Sequence, residues 1–209
     1  NSLLNQQVRL TAVYTDVNLT LENVVSSGVS IAAENAIVLE NQNQGTTNWK
    51  ITNLATNNEI VGYASATSVD RGDSLSFKVS LQQPGKYTID VYRLGFYNGT
   101  GGRLLSSSGQ LDGITQSGPT INQNTRLVEY NWTNSYNLQV GSEWTSGLYI
   151  AKLTEVSSGK ESQVWFAVRD DDRPADLGFQ ASFTTYAAYN NFGGYSLYTD
   201  NSIGGNRAF

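Results

Sequence analysis

KYTIDVYRLGFYNGTGGR, residues 86–103, carries the clearest strand and turn signals of this 209-residue chain. Every second residue of its first half falls on one face, and these are Tyr87, Ile89, Val91 and Arg93. A period of two built from β-forming residue types predicts a strand. The second half is rich in glycine around Phe96 and Tyr97, which predicts a tight loop. The stretch therefore predicts a central strand that ends in an aromatic, glycine-rich loop.

Segments of the same kind recur along the chain and are separated by Gly, Asn and Pro turn signals. The predicted strands are residues 49–54, 60–64, 74–80, 87–94, 104–107, 126–132, 136–140, 148–156 and 163–169. Many short strands with almost no helical periodicity predict a mostly β protein, an immunoglobulin-like antiparallel β-sandwich over residues 45–172.

The clearest hairpin spans residues 148–169, with Ser157-Ser158-Gly159-Lys160 as its loop. At its entrance, residues 146–149 resemble the corner of immunoglobulin-like sandwiches, in which a tyrosine hydroxyl, here that of Tyr149, bonds to the main chain. The four tryptophans are interpreted as core or corner residues, and the alternative is an exposed platform for a sugar ring. They are Trp49, Trp132, Trp144 and Trp165.

Residues 1–44 have a strand pattern of their own, including a short strand from Ala36 to Leu39, and are predicted to form an N-terminal β-strand arm. An arm of this length cannot bury both of its faces alone. It therefore pairs either with its own sandwich or with the sandwich of another copy, and head-to-tail exchange between copies would build a filament.

Composition excludes several kinds of partner and site. The net charge of −5 opposes affinity for nucleic acid or an anionic membrane, and the apolar runs are too short for a membrane-spanning helix. The chain contains no Cys and no His, which excludes disulfides, thiolate sites and imidazole ligands. Charged residues make up only 15% of the chain, and such a polar, weakly charged surface is typical of extracellular or cell-surface proteins. The absence of Met predicts that the chain was cut from a longer product.

Charged turns give two further interpretations. Residues 170–174 read as a solvated hinge that ends the sandwich, with a calcium site through Asp170 and Asp172 as the alternative. Residues 70–73 contain the tripeptide Arg71-Gly72-Asp73, which reads as a turn.

Beyond the hinge, residues 177–183 are a strand candidate and residues 185–190 a short helix. Residues 173–209 therefore predict the incomplete start of an α/β domain.

Three stretches, YRLGFYNGTGGR, VRDDDRPADL and FQASFTTYAAYNNFGGYSLY, resemble the N,N-dimethylformamidase large (beta) subunit-like family. The resemblance implies a sandwich that precedes a catalytic domain whose mononuclear iron is held by two tyrosines and a glutamate. It places the first tyrosine ligand at Tyr186 or Tyr189, and the other two ligands beyond Phe209. The alternative is that Tyr186 and Tyr189 are packing aromatics at i and i+3.

The sequence alone favours a non-catalytic extracellular module with a structural, adhesive or self-assembling role. The alternative is a fragment of an iron-dependent amide hydrolase, and the second alternative is a carbohydrate-binding module. No cofactor is expected in this chain, although iron is expected once the catalytic domain is complete. The expected partners are copies of the chain, through the arm, or the remainder of the parent protein. Any glycan is expected at Asn98, in the glycine-rich loop.

Overall fold

The computed structural model describes residues 35–175 and 177–208. Within them the chain forms two α-helices and eleven β-strands. In chain order these are α1 (Ala36–Gln42), β1 (Ile60–Ala64), β2 (Ser68–Asp70), β3 (Ser74–Leu81), β4 (Gly85–Leu94), β5 (Gly102–Ser107), β6 (Leu111–Gly113), β7 (Thr120–Ile121), β8 (Val128–Glu129), β9 (Tyr136–Gln139), β10 (Gly147–Glu155), β11 (Glu161–Arg169) and α2 (Phe183–Tyr189). Neither helix in this part of the chain is long and apolar enough to cross a membrane.

The strands form two main sheets. The smaller sheet has the antiparallel order β1-β3-β9. The larger one has the order β2-β11-β10-β4-β5, and β6 pairs with the first residues of β4. β2 lies parallel to β11, so the chain crosses from the smaller sheet to the larger one after β1 and returns at β3. This arrangement confirms the predicted immunoglobulin-like β-sandwich.

The core lies between the sheets and follows the alternation that the sequence predicts. In β4 the side chains of Tyr87, Ile89 and Val91 are fully buried. Phe77 of β3 meets Phe166 of β11 edge to face, with ring centroids 5.7 Å apart. Such a pair is the favoured geometry for two buried rings, so it fixes the distance between the sheets as well as burying apolar area.

The predicted tyrosine corner is present. The hydroxyl of Tyr149 donates to the backbone carbonyl of Thr145 at 2.6 Å, and the indole of Trp144 stacks on the Tyr149 ring at 5.4 Å. The hydroxyl would otherwise be a buried polar group without a partner, which costs free energy. The corner thus aligns the start of β10 with the core.

A buried polar network ties the loop after β4 to α1. Arg93 is only 3% exposed, and its Nη1 donates to the Tyr97 hydroxyl at 3.1 Å. That hydroxyl donates to Glu40 Oε1 at 2.8 Å, and Arg103 Nη1 lies 2.7 Å from Glu40 Oε2. Burial raises the pKa of Tyr97 to about 12, so its hydroxyl keeps the proton that it donates.

The glycines of the same loop make room for an indole. Trp49 Nε1 donates to the carbonyl of Thr100 at 3.0 Å. A Cβ on Gly102 would lie 2.5 Å from Trp49 Cδ1, and Gly101 has a positive φ of 87°. The loop sequence is therefore dictated by close packing around Trp49.

The prediction of a strand at residues 49–54 is wrong. It is bound mainly through side chains and forms only an isolated bridge between Leu54 and Glu161. Lys152 Nζ donates to the carbonyls of Asn48 and Lys50, both at 3.0 Å, and lies 2.8 Å from Glu161 Oε1. Because a buried ammonium takes these carbonyls, they are not available to a β-ladder.

Three other predicted strands are also wrong or shortened. Residues 36–39 belong to helix α1, because a short apolar run has no period that separates strand from helix. Residues 177–183 form no strand, and Leu177 and Phe179 are 90% and 82% exposed. Residues 126–132 contain only the two-residue strand β8, which pairs with β7 in a separate hairpin. The other strand predictions for the arm fall on residues 1–34 and lie outside the described residues.

Candidate functional site

The site predicted from the sequence lies on α2, at the end of the chain. The helix covers Phe183–Tyr189, close to the predicted residues 185–190. It ends where the backbone N–H of Asn190 donates to the carbonyl of Ala187 at 3.3 Å. Gly193 then takes a positive φ of 92°, and a Cβ there would lie 2.6 Å from Val128 Cγ1 of β8. Glycine at this position lets the chain turn directly against the sandwich.

The structure separates the two candidate metal ligands. Tyr189 stacks on Tyr198, with ring centroids 4.2 Å apart and ring planes 17° apart. Tyr186 instead meets Phe183 edge to face at 6.1 Å. Both candidates are more than half exposed. Only Tyr189 therefore has a second phenol beside it.

Tyr198 changes the acidity of the Tyr189 phenol. A hydrogen bond with Tyr198 is the largest cause that raises the pKa of Tyr189, followed by the charge of Tyr198 and smaller effects of burial and of Asp200. The raised pKa means that Tyr189 keeps its proton at neutral pH in the absence of a cation. A bound cation would have to displace the Tyr189 proton, as metal ligation generally does.

The loop that carries Tyr198 is pinned by its own hydrogen bonds. Leu197 N–H donates to the carbonyl of Ala188 at 3.0 Å. Ser202 Oγ donates to the carbonyl of Tyr198 at 2.7 Å, and Tyr198 N–H donates to Ser196 Oγ at 3.1 Å. Ser196 is fully buried. These bonds fix the Tyr198 backbone against the end of α2.

Sequence reasoning missed Tyr198. A signal existed, because Tyr198 is the last residue of the stretch FQASFTTYAAYNNFGGYSLY that resembles the dimethylformamidase-like family. The stacking depends on the loop folding back onto α2, which no local periodicity reveals.

An aromatic cluster joins the C-terminal segment to the sandwich. The ring of Phe192 lies 5.0 Å from that of Tyr130, which in turn lies 5.2 Å from Trp132. Tyr63 of β1 completes the cluster at 5.3 Å from Trp132. Its hydroxyl donates to the carbonyl of Tyr130 and accepts from the N–H of Trp132. The segment that follows α2 is thus packed on the sandwich through Phe192.

A cavity of about 790 Å³ lies between α2 and the sandwich. Its lining residues come from β1, the turn before β2, β11 and α2, and include Trp165, Tyr186 and Tyr189. A smaller cavity of about 520 Å³ continues beside Phe192 and shares Tyr63, Gln163 and Asn190 with the first.

The donor set at α2 fits iron in part. Two adjacent phenols, Tyr189 and Tyr198, supply the hard oxygen donors that iron(III) accepts. Within residues 35–175 and 177–208, no three Asp, Glu, His or Cys side chains come together as a metal site. The described residues therefore offer tyrosine ligands without the carboxylate that the family resemblance implies.

The calcium alternative finds no support in the described residues either, since no acidic cluster forms there. Asp170 pairs with Arg71 at 3.0 Å and with Arg173 at 2.8 Å, and Asp171 pairs with Arg169 at 2.8 Å. These guanidinium groups already neutralise the carboxylates. The charged turn is accordingly a set of ion pairs.

The tryptophans do not form a platform. Trp132 and Trp144 are buried, and Trp49 is bound by the glycine-rich loop between β4 and β5 (the signature loop, residues 95–101). Trp165 is the exception at 38% exposed. The interpretation of the tryptophans as core or corner residues thus holds for three of them, while Trp165 lines the cavity beside α2.

Comparison with known proteins shows the family of this chain. The model of the family "N,N-dimethylformamidase beta subunit-like, C-terminal" matches residues 88–208, more than half of the 209-residue chain. The chain belongs to this family. The dimethylformamidase-like match runs from β4 through α2 and includes Tyr189 and Tyr198.

A search of the curated proteins gives no match. Among solved structures, the β-glucosidase from Listeria innocua is similar at 12% identity with a TM-score of 0.27. The same enzyme in complex with glucose is similar at 14% identity with a TM-score of 0.24. Each alignment covers 53% of this chain and 16% of the β-glucosidase chain.

Proposed function

We propose that this chain is part of an iron-dependent amide hydrolase resembling N,N-dimethylformamidase. The observation that carries the proposal is the family match over residues 88–208, which includes the phenol pair of Tyr189 and Tyr198. The sequence alone favours a non-catalytic structural or adhesive module, but no feature of the described residues supports that role specifically. The family match favours the alternative.

Tyr189 is the better candidate for the first ligand. It sits at the last residue of α2, where its ring is held by Tyr198 and its carbonyl accepts from Asn201 Nδ2 at 2.6 Å. Tyr186 lies one turn earlier and has no second phenol beside it. A ligand that is already oriented loses less freedom on binding a metal.

In this proposal the sandwich orients the ligand and carries none of the chemistry. The aromatic cluster of Tyr63, Tyr130, Trp132 and Phe192 fixes the end of α2 against β1 and β8. Bound iron would polarise an amide carbonyl and lower the pKa of a bound water. Tyr189 would give up its hydroxyl proton on ligation, and Tyr198 would hold the Tyr189 ring in place.

The test is iron binding by the chain, with Tyr186 as the internal control. Purified protein is titrated with iron(III), and the tyrosinate-to-iron charge-transfer absorption is recorded with the metal content. We expect Tyr189→Phe to lose the absorption and Tyr186→Phe to keep it. Release of dimethylamine from N,N-dimethylformamide is then measured for the chain and for the full product of its gene. If neither binds iron or releases amine, the non-catalytic module is the correct function.

A further inference from the structure

The cavity beside α2 lies where the described strands leave an edge unpaired. Among residues 35–175 and 177–208, β1 pairs with β3 on one side only, and β2 pairs with β11 only at residues 167–169. Small residues on both walls, among them Gly62, Ala64 and Ala187, leave the space unfilled. A volume of about 790 Å³ is in the range of small-molecule sites.

Aromatic rings from two elements line this space. Trp165 projects outward from β11 between the buried residues Val164 and Phe166, and Phe183, Tyr186 and Tyr189 project from α2. An exposed indole in a concave site is unusual in a chain that buries or binds its other tryptophans, and large exposed rings favour flat, apolar ligands.

The charge of the lining residues restricts which ligands the cavity can bind. Among the described residues that line the cavity, none is Asp, Glu, Lys or Arg. An ionised ligand would lose hydration there without gaining a partner of opposite charge, which is costly. The cavity therefore selects a neutral ligand.

Some polar groups of the lining already bond within the protein, and others face a ligand. The Tyr63 hydroxyl is committed to the backbone of Tyr130 and Trp132. Gln163 Nε2 donates to the carbonyl of Trp49 at 2.7 Å, and Asn190 Oδ1 accepts from the N–H of Phe192 at 3.0 Å. The Gln163 carbonyl oxygen and the Asn190 amide group remain, and the lining also carries the hydroxyls of Thr67, Tyr186 and Tyr189. An amide needs one acceptor and one donor, which Gln163 and Asn190 supply.

We infer that this cavity binds a neutral aromatic amide, with the ring between Trp165 and the aromatic side chains of α2. The amide part of the inference rests on the proposed function, because Tyr189 lines the same space. The ring part rests on the lining alone. The substrate class is then an amide with an aryl substituent, which fills far more of the cavity than dimethylformamide does.

The experiment uses the iron-free 209-residue chain and formanilide as the probe, with ligand-observed NMR and calorimetry as readouts. Ala187→Phe fills the cavity from an exposed helix position, and Trp165→Ala removes one wall. We expect each variant to weaken formanilide binding about tenfold or more, the effect of losing one well-packed ring contact. Phe96→Ala, which removes an exposed ring from the signature loop, is the control and should bind normally.

The second part of the experiment measures ligand selectivity. A carboxylate-bearing formanilide should bind at least tenfold more weakly than formanilide. Glucose, which has no aryl ring to place between Trp165 and α2, should not bind. Unchanged formanilide affinity in both Ala187→Phe and Trp165→Ala, or binding of glucose without formanilide, would overturn the inference. Because no iron is present, cavity binding can succeed while iron binding and hydrolysis fail. If the protein hydrolyses amides with iron but does not bind formanilide, the proposed amide hydrolase function holds and the proposed aromatic amide site in the cavity is wrong.

Discussion

The carboxylate of Glu40 accepts a hydrogen bond from the hydroxyl of Tyr97 at 2.8 Å, across 57 residues of sequence. The same hydroxyl accepts from Arg93 at 3.1 Å. The phenol is therefore the link between α1 and a buried guanidinium. Arg103 binds the other side of Glu40 at 2.7 Å. The residues of a family-like stretch can serve the fold alone. Here Arg93, Tyr97 and Arg103 of residues 86–103 bind helix α1 to the sandwich.

Removing the phenol oxygen tests this link. We expect Tyr97→Phe to lower the free energy of unfolding by about 1–2 kcal/mol, because Arg93 and Glu40 each lose a buried partner. Urea denaturation followed by tryptophan fluorescence gives the value. Tyr136→Phe is the matched control, since Tyr136 packs against the core, and it should change stability little. Equal stability of wild type and Tyr97→Phe would show that the network contributes nothing.

The ion pair of Lys152 and Glu161 should make stability depend on acid pH. Burial by itself raises the pKa of Glu161, but hydrogen bonds from Lys152, Thr52 and Asn53 outweigh it and lower the pKa below its ordinary value of 4.5. Ionised Glu161 therefore stabilises the fold above pH 4.5, and this contribution is lost as the pH falls through the lowered pKa.

Glu161→Gln is expected to cost about 2 kcal/mol at neutral pH, because Lys152 would keep its carbonyl partners but lose its buried counter-ion. The difference in unfolding free energy between wild type and variant should shrink as the pH falls below 4.5. Glu129→Gln, at an exposed position, is the control and should show no such trend. A difference that stays constant down to acid unfolding would contradict the sign worked out above.

Features set by local pattern were predictable from the sequence. The alternation of Tyr87, Ile89 and Val91 predicted the face of β4 that is buried, and the position of Tyr149 predicted the tyrosine corner. Both depend on neighbours within a few residues. α1 could not be predicted because its apolar run lacks a period, and its anchor Glu40 binds Arg103 63 residues away. For the same reason the stack of Tyr189 on Tyr198 was missed.

Several expectations stay predictions. Exchange of the arm between copies concerns residues 1–44, of which the structure describes residues 35–44, including α1. Removing residues 1–34 while keeping α1 is the appropriate deletion, because α1 is bound to the sandwich through Glu40. Loss of assemblies in that variant, measured by light scattering, would support exchange. Extracellular or cell-surface localisation also remains a prediction from composition.

A glycan, where the host attaches one, is expected at Asn98. This residue is exposed and takes a positive φ of 53° in the short turn Tyr97–Gly99. Expression in a glycosylating host, followed by peptide mass analysis, gives the site. Asn98→Gln should remove the added mass, and Asn131→Gln, at the other described acceptor sequence, should leave it. Sugar on Asn131 with Asn98 unmodified would contradict the expectation.

Tyr198 should control how Tyr189 binds iron. Tyr198→Phe keeps the ring that stacks on Tyr189 but removes the neighbouring hydroxyl, which either orients the ligand or joins it on the metal. Loss of such a partner typically costs 10–100-fold in metal affinity. We expect iron(III) affinity, followed by the charge-transfer absorption, to fall about tenfold or more in Tyr198→Phe, while the thermal unfolding midpoint stays unchanged. Tyr195→Phe, in the same loop, is the control and should bind as wild type does. If Tyr189→Phe abolishes iron binding while Tyr198→Phe leaves it unaltered, Tyr189 acts alone and the stacked phenol has only a packing role.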